Sequence, residues 1–208
     1  MVGALSQAEF DALLRVHARR NHLGREAAGT PLDLTGHSLR HLELRGRDLD
    51  GLVLVDTDLS GCDLTGADLD RALLMGANLR ATRLVDATLY STNLGGADLT
   101  DADLTGARLL RTDLTYASLV RAVLDRTDLT RAYFYGADLR KAVVRHARLD
   151  RTTFDEAWVT DADFTGTVGT VDADASVLLD DPYAPHVART VLLRAGAQVE
   201  AYDEPREP

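Results

Sequence analysis

The chain has 208 residues, with 33 acidic against 23 basic side chains, a formal charge of −10, a 45% apolar fraction and only 5% aromatics. That balance argues against nonspecific binding to nucleic acid or anionic lipid, and suits one domain cored by small and medium aliphatic residues. The single cysteine, Cys62, rules out an intrachain disulfide. The start MVGALSQAEF lacks a signal-peptide pattern, and no stretch nears the roughly 20 apolar residues of a membrane span, so a cytoplasmic protein is expected.

The first predicted element is a helix over about Ser6 to Asn21. Ser6-Gln7-Ala8-Glu9 reads as a capping box, with Leu5 and Phe10 placed as a hydrophobic staple. Phe10, Leu13, Leu14 and His17 follow helical spacing, and Gly24 is a natural stop. His17 reads as a helix-edge residue rather than a ligand. Residues 1–31 are expected to form a lid on the segment that begins at Leu32.

From Leu34 the pattern changes to a step of five. Leu34, Leu39, Leu44, Leu49 and Leu54 begin a series that runs to Phe164, and of its 27 positions 22 are leucine and all are apolar. No helix or heptad has that period. The residue two before each of these centres is mostly Ala or Thr, as at Ala67, Ala72, Thr82 and Ala97. Residues two apart share a strand face, so the small residue and the centre both point inward. The Asp or Asn between them, as at Asp58, Asp63 and Asn78, points out. The other two residues, Thr-Gly in LTGAD, must turn the chain.

The segments GCDLTGADLD, MGANLR, GGADLTDADLTGARL and YGADLR closely resemble the A-(D/N)-L-x-x signature of the pentapeptide-repeat family. The resemblance covers about two thirds of the chain. It implies an all-β solenoid, a right-handed quadrilateral β-helix with four pentapeptides per 20-residue coil. Residues 32–167 would make almost seven coils and a rod on the order of 32 Å long. In that register Arg111, Arg131 and Arg151 form a column, and Phe134 stacks on Phe154. The first coils depart from the pattern, because Leu32, His37, Leu42, Arg47 and Leu52 occupy the normally small inward position. A buried His or Arg needs partners, so this end is expected to be irregular.

After Gly166 the pattern ends. Asp181-Pro182 starts a predicted helix through about Ala195, and Gln198 to Tyr202 reads as extended. Residues 168–208 are expected to cap the last coil or to dimerise through Val187, Val191 and Leu192, since several family members pair through a C-terminal helix.

Chemistry is sparse. Cys62 sits at an inward small position as a core filler, the six histidines show no zinc spacing, and no phosphate loop is present. No catalytic residue, cofactor or metal is expected. Function then falls on the outer walls. The wall centred on Leu34, Leu54, Leu74, Leu94, Leu114, Phe134 and Phe154 carries Asp33, Asp56, Asp113, Asp155 and Glu156 but no Lys or Arg. It also carries Val53, Val55, Leu73, Met75, Tyr116, Tyr133 and Tyr135, which suggests an interaction surface, unless a terminal segment covers it. Charge alternates along the rod: residues 32–110 hold 13 acids against 7 bases, residues 111–151 hold 5 against 9, and residues 152–208 hold 12 against 3.

The best understood members of the family are quinolone-resistance and antibiotic self-protection proteins whose acidic rods resemble duplex DNA. The resemblance therefore implies a DNA mimic that binds DNA gyrase or topoisomerase IV, without binding nucleic acid itself. The alternative is a scaffold or adaptor that binds another protein through the tyrosine-bearing wall.

Overall fold

The computed structural model describes residues 5–22, 30–172, 176–178, 186–187 and 197–202. The element order is α1 (Gln7–His22), the repeat ladder, then short strands β1 (Ala157–Trp158), β2 (Val168–Asp172), β3 (Ser176–Leu178), β4 (His186–Val187) and β5 (Gln198–Tyr202).

The ladder consists of parallel bridges between residues 20 apart. One column runs Asp33, Val53, Leu73, Asn93, Asp113, Tyr133 and Thr153, and three more columns run at offsets of five residues. Twenty residues per coil with a turn in every five make a four-sided β-helix. All 27 centre residues from Leu34 to Phe164 are buried, as are Cys62, Ala67, Ala72, Ala77 and most other inward small residues. Phe134 and Phe154 stack with centroids 5.0 Å apart and planes at 9°. Where threonine replaces alanine inside, its hydroxyl needs a partner and finds a carbonyl: Thr82, Thr92 and Thr112 donate to Leu59, Leu69 and Leu89 of the coil before.

A repeat with Asp or Asn before its centre accounts for all five of its backbone N–H groups. Three go to neighbouring coils, as Leu94 to Asp113, Gly96 to Thr115 and Asn93 to Ala72, and the fourth closes the turn, as Ala97 to Leu94. The fifth lies just after the centre, and the outward Asp or Asn accepts it. Asp98 Oδ1 takes the Thr100 N–H at 3.0 Å, Asp113 that of Thr115 at 2.9 Å, and Asn93 that of Gly95 at 2.9 Å. The Asp or Asn is thus an Asx cap on every such turn. The same bonds act on charge. The Thr35, Thr65 and Thr165 side chains and amides hold the Asp33, Asp63 and Asp163 carboxyls below their usual range.

The turn residue two after the centre has positive φ in almost every repeat, as a type II turn requires, from Gly36 at 70° to Gly166 at 73°. His41 is the exception, and the ladder breaks beside it. Glu43 makes no bridge to Asp63. Its N–H instead goes to Gln7 Oε1 at 2.7 Å, and His41 Nε2 lies 2.6 Å from the Leu5 carbonyl. The irregular end is therefore where α1 docks. Arg47 is only half-buried and reaches Asp11 at 2.8 Å, so the expected cost of a buried guanidinium does not arise. His37 is likewise half-buried and contacts the Thr35 carbonyl at 3.2 Å.

The helix begins with the expected box: Ser6 N–H donates to Glu9 Oε2 at 2.9 Å and Glu9 N–H to Ser6 Oγ at 3.3 Å. Phe10 is wholly buried, with Leu5, Leu13 and Leu14 packed beside it. His17 is not an edge residue. It is buried, and its Nε2 lies 2.8 Å from the Asp50 carbonyl, tying α1 to the rod.

At the far end β1 pairs parallel with β3, Ala157 to Val177, keeping the 20-residue step. Then β2 pairs parallel with β5, Val168 to Gln198, at a step of 30. The predicted helix over 181–195 is not what its described residues form. His186–Val187 is a strand antiparallel to Ser176–Val177, so Val187 belongs to a sheet. Val191, Leu192 and the rest of that prediction lie outside the described residues. The apolar spacing there imitates a helix, but the pairing partner lies nine to eleven residues upstream, beyond the reach of a local pattern.

Candidate interaction wall

The wall centred on Leu34 through Phe154 stacks three outward columns. One is the bridged column from Asp33 to Thr153; the next holds Val55, Met75, Gly95, Thr115, Tyr135 and Asp155; the corner holds Asp56, Gly76, Gly96, Tyr116, Gly136 and Glu156. No Lys or Arg occupies any of these positions. Among the described residues eight large apolar side chains are exposed, and five are here: Leu73, Met75, Tyr116, Tyr133 and Tyr135. Val53 and Val55 are half-buried beside them. The apolar exposure is therefore concentrated on one side rather than scattered.

Two glycines shape the corner. A Cβ on Gly136 would fall 2.5 Å from the Tyr116 ring, and one on Gly76 would fall 2.3 Å from Asp56 Oδ1. Each glycine thus lets the corner side chain of the preceding coil lie flat along the rod. Tyr116, 64% exposed, meets Tyr135 edge-to-face at 5.4 Å and 85°. Hydrogen bonds to Glu156 and then Tyr116, with the Glu156 charge, push the Tyr135 phenol up to about 12. Tyr133, half exposed, stands two residues along the same strand face. So the wall unites Tyr116, Tyr135, Glu156 and their neighbours Tyr133 and Asp155. It leaves Asp56, Leu73 and Met75 as a second group two coils away.

The other walls carry ion pairs. Arg121 clamps Asp101 at 2.6 and 2.7 Å, Arg80 reaches Asp98 at 3.1 Å, Arg145 reaches Asp163 at 2.9 Å and Arg140 reaches Asp138 at 2.6 Å. The basic stretch from Arg111 to Arg151 is largely ion pairing within and between coils. Asp56, Asp113 and Glu156 make no ion pair among the described residues.

Cys62 is buried and burial lifts its thiol to about 11, the state of a filler rather than a nucleophile. Among the described residues no group of three His, Cys, Asp or Glu is placed to hold a metal ion, and no helix is long and apolar enough to cross a membrane. The sequence reading missed the Asx caps and the Tyr116–Tyr135–Glu156 contact. The caps depend on turn dihedrals that the Asp or Asn before each centre does not announce, and the tyrosine contact depends on Gly136, which reads only as a turn residue.

The family model for pentapeptide repeats matches segments that together run from residue 38 to 166. No curated protein matches the sequence. Two trypsin-treated forms of QnrB1, a plasmid-mediated fluoroquinolone resistance protein, are similar in structure. Both have a TM-score of 0.63 over 72% of this chain, at 20% and 21% identity, covering 80% and 78% of theirs. HetL, involved in heterocyst differentiation regulation in the cyanobacterium Nostoc sp. strain PCC 7120, is 32% identical. The match covers 71% of this chain and 72% of that one, with a TM-score of 0.45. The likeness to QnrB1 agrees with the right-handed quadrilateral β-helix of such repeats.

Proposed function

The chain belongs to the pentapeptide-repeat family, and from that premise we propose that it catalyses nothing and acts by binding another protein with the outside of its rod. The binding face is the wall without cations, and the partner is a surface built for duplex DNA, that of DNA gyrase or topoisomerase IV. One observation carries this reading: the wall that holds Asp33, Asp56, Asp113, Asp155 and Glu156 has no Lys or Arg among its outward positions. Duplex DNA likewise presents a negatively charged face with no fixed cation in it. The rod would occupy such a surface in place of nucleic acid, from the cytoplasm, as a monomer or as a dimer joined through the C-terminal segment.

The test is a supercoiling assay with purified gyrase, run with and without a fluoroquinolone. Dose-dependent inhibition, or relief of the drug's effect, is expected. Neither effect at saturating protein would sink the topoisomerase assignment. The second reading, an adaptor for an unrelated protein, is favoured by the exposed Tyr116, Tyr133 and Tyr135, which a mimic of phosphate charge does not need. Under it, Tyr133→Asp with Tyr135→Asp strips partners from the folded rod in a pull-down. Retention of all partners counts against it.

A further inference from the structure

The tyrosine end of the wall has the chemistry of a more specific receptor, and the inference rests on the reading that this wall binds protein. Three features meet there. The Tyr116 ring is held in advance: it lies over Gly136 and edge-to-face with Tyr135, yet stays 64% exposed. Glu156 stands on the same corner column as Tyr116, two coil steps further along, and is near enough to the Tyr135 phenol to push it up. A carboxylate accepts up to about four hydrogen bonds, so most of the accepting capacity of Glu156 remains for an outside donor.

The missing component is a cation. On the other walls an exposed Asp can meet an Arg of a neighbouring coil, as Asp101 meets Arg121 and Asp98 meets Arg80. On this wall no Lys or Arg stands at the corresponding places, and Glu156 has no ion pair among the described residues. Exposed aromatic faces beside an unpaired carboxylate attract a planar cation that stacks and donates together, which is what a guanidinium does and an ammonium does less well.

We propose that Tyr116, Tyr135 and Glu156 form a receptor for an arginine side chain presented by a protein partner. Tyr133 and Asp113, in register with each other one coil step apart, extend it along the wall for a second basic residue. Pre-set rings lower the ordering cost of binding, which is why the glycine at 136 matters to function as well as to the turn.

The probe is the capped peptide Gly-Arg-Gly-Arg-Gly, with a twin in which citrulline replaces each arginine, titrated into the full chain. The readout is the NMR shift of the Tyr116 and Tyr135 rings. The arginine peptide is expected to saturate these shifts, with the citrulline twin at least about fivefold weaker. Tyr116→Ala and the isosteric Glu156→Gln should each weaken arginine binding several-fold, and Glu156→Gln leaves the melting curve in place. Equal affinity for the two peptides, or unchanged binding by both variants, overturns the proposal. So does equal saturation by tetramethylammonium, which lacks donors. The supercoiling assay separates this from the broader reading. Arginine binding without any effect on gyrase keeps the receptor and removes the topoisomerase, whereas gyrase modulation that Tyr116→Ala and Glu156→Gln leave intact removes the receptor alone.

Discussion

The middle coils and the first coil of the same rod solve the burial problem in different ways. Between Leu52 and Leu129 each coil has a near copy of itself above and below, so the ladder bonds and the inward side chains repeat from coil to coil. The first coil has a neighbour on one side only. There Leu32, His37, Leu42 and Arg47 replace the small inward residues, and the coil trades coil-to-coil bonds for bonds to α1: Glu43 to Gln7, His41 to Leu5, Arg47 to Asp11 and Asp50 to His17. A solenoid is uniform only where it is flanked, and its ends must be written in another residue alphabet.

Substitutions in the two regions should therefore differ in reach as well as size. Leu94→Ala opens a cavity in the middle of the stack and should cost about 2–5 kcal/mol, lowering the whole urea transition. Phe10→Ala removes as large a side chain from the lid, but its effect should stay at the end. Hydrogen exchange should speed at residues 37–50 and remain slow beyond Leu64, and uniform acceleration along the rod would break the distinction.

Smaller effects sharpen it. Asp98→Ala strips the acceptor from the Thr100 N–H in a flanked coil and should cost about 1 kcal/mol, in the range of lost helix caps. Ser6→Ala should cost about the same at the lid and show only in exchange of the α1 amides. Gly136→Ala and Gly96→Ala both sit at positive φ, but only the first meets a ring. Gly136→Ala should displace Tyr116 and quench its contact with Tyr135, while Gly96→Ala costs only backbone strain, on the order of 1 kcal/mol.

The pH response should follow the Asx caps. Asp33, Asp63 and Asp163 titrate below their usual range in the folded rod. The folded state then binds fewer protons than the unfolded one, so the stabilisation is present at neutral pH and is lost as pH falls below about 4. Asp50 opposes this, because burial, outweighing the Arg71 guanidinium, raises its carboxyl. Asp63→Asn keeps an acceptor, as Asn78 and Asn93 do, and should leave the neutral melting point nearly unchanged while flattening the acid limb of a melting-against-pH curve.

The legible part of this molecule was the part under the tightest packing constraint. Leucine at every fifth position and Ala or Thr two before it mark the inward face, and the 20-residue coil that the family resemblance implies placed Tyr116, Tyr133 and Tyr135 on one wall. What was not legible depends on partners distant in sequence. The role of Asp58 or Asp98 as a cap comes from a turn whose dihedrals the residue pattern does not state. The break at Glu43 needs Gln7, and the strand at His186–Val187 needs Ser176–Val177. The apolar spacing after Asp181 favoured a helix because local periodicity cannot see a β-partner.

The central claim is that binding belongs to the cation-free wall. The direct measurement is the concentration of protein giving half-maximal inhibition of gyrase supercoiling, compared between two charge-reversed rods of confirmed fold. Asp56→Lys with Glu156→Lys alters the corner of that wall; Asp86→Lys with Asp125→Lys alters turns of the opposite one. The account predicts that the first pair raises the required concentration at least about tenfold and the second leaves it within about twofold, since close charge pairs at interfaces are worth well over 1 kcal/mol. Equal inhibition by both variants, or no inhibition by the unaltered protein, would contradict it.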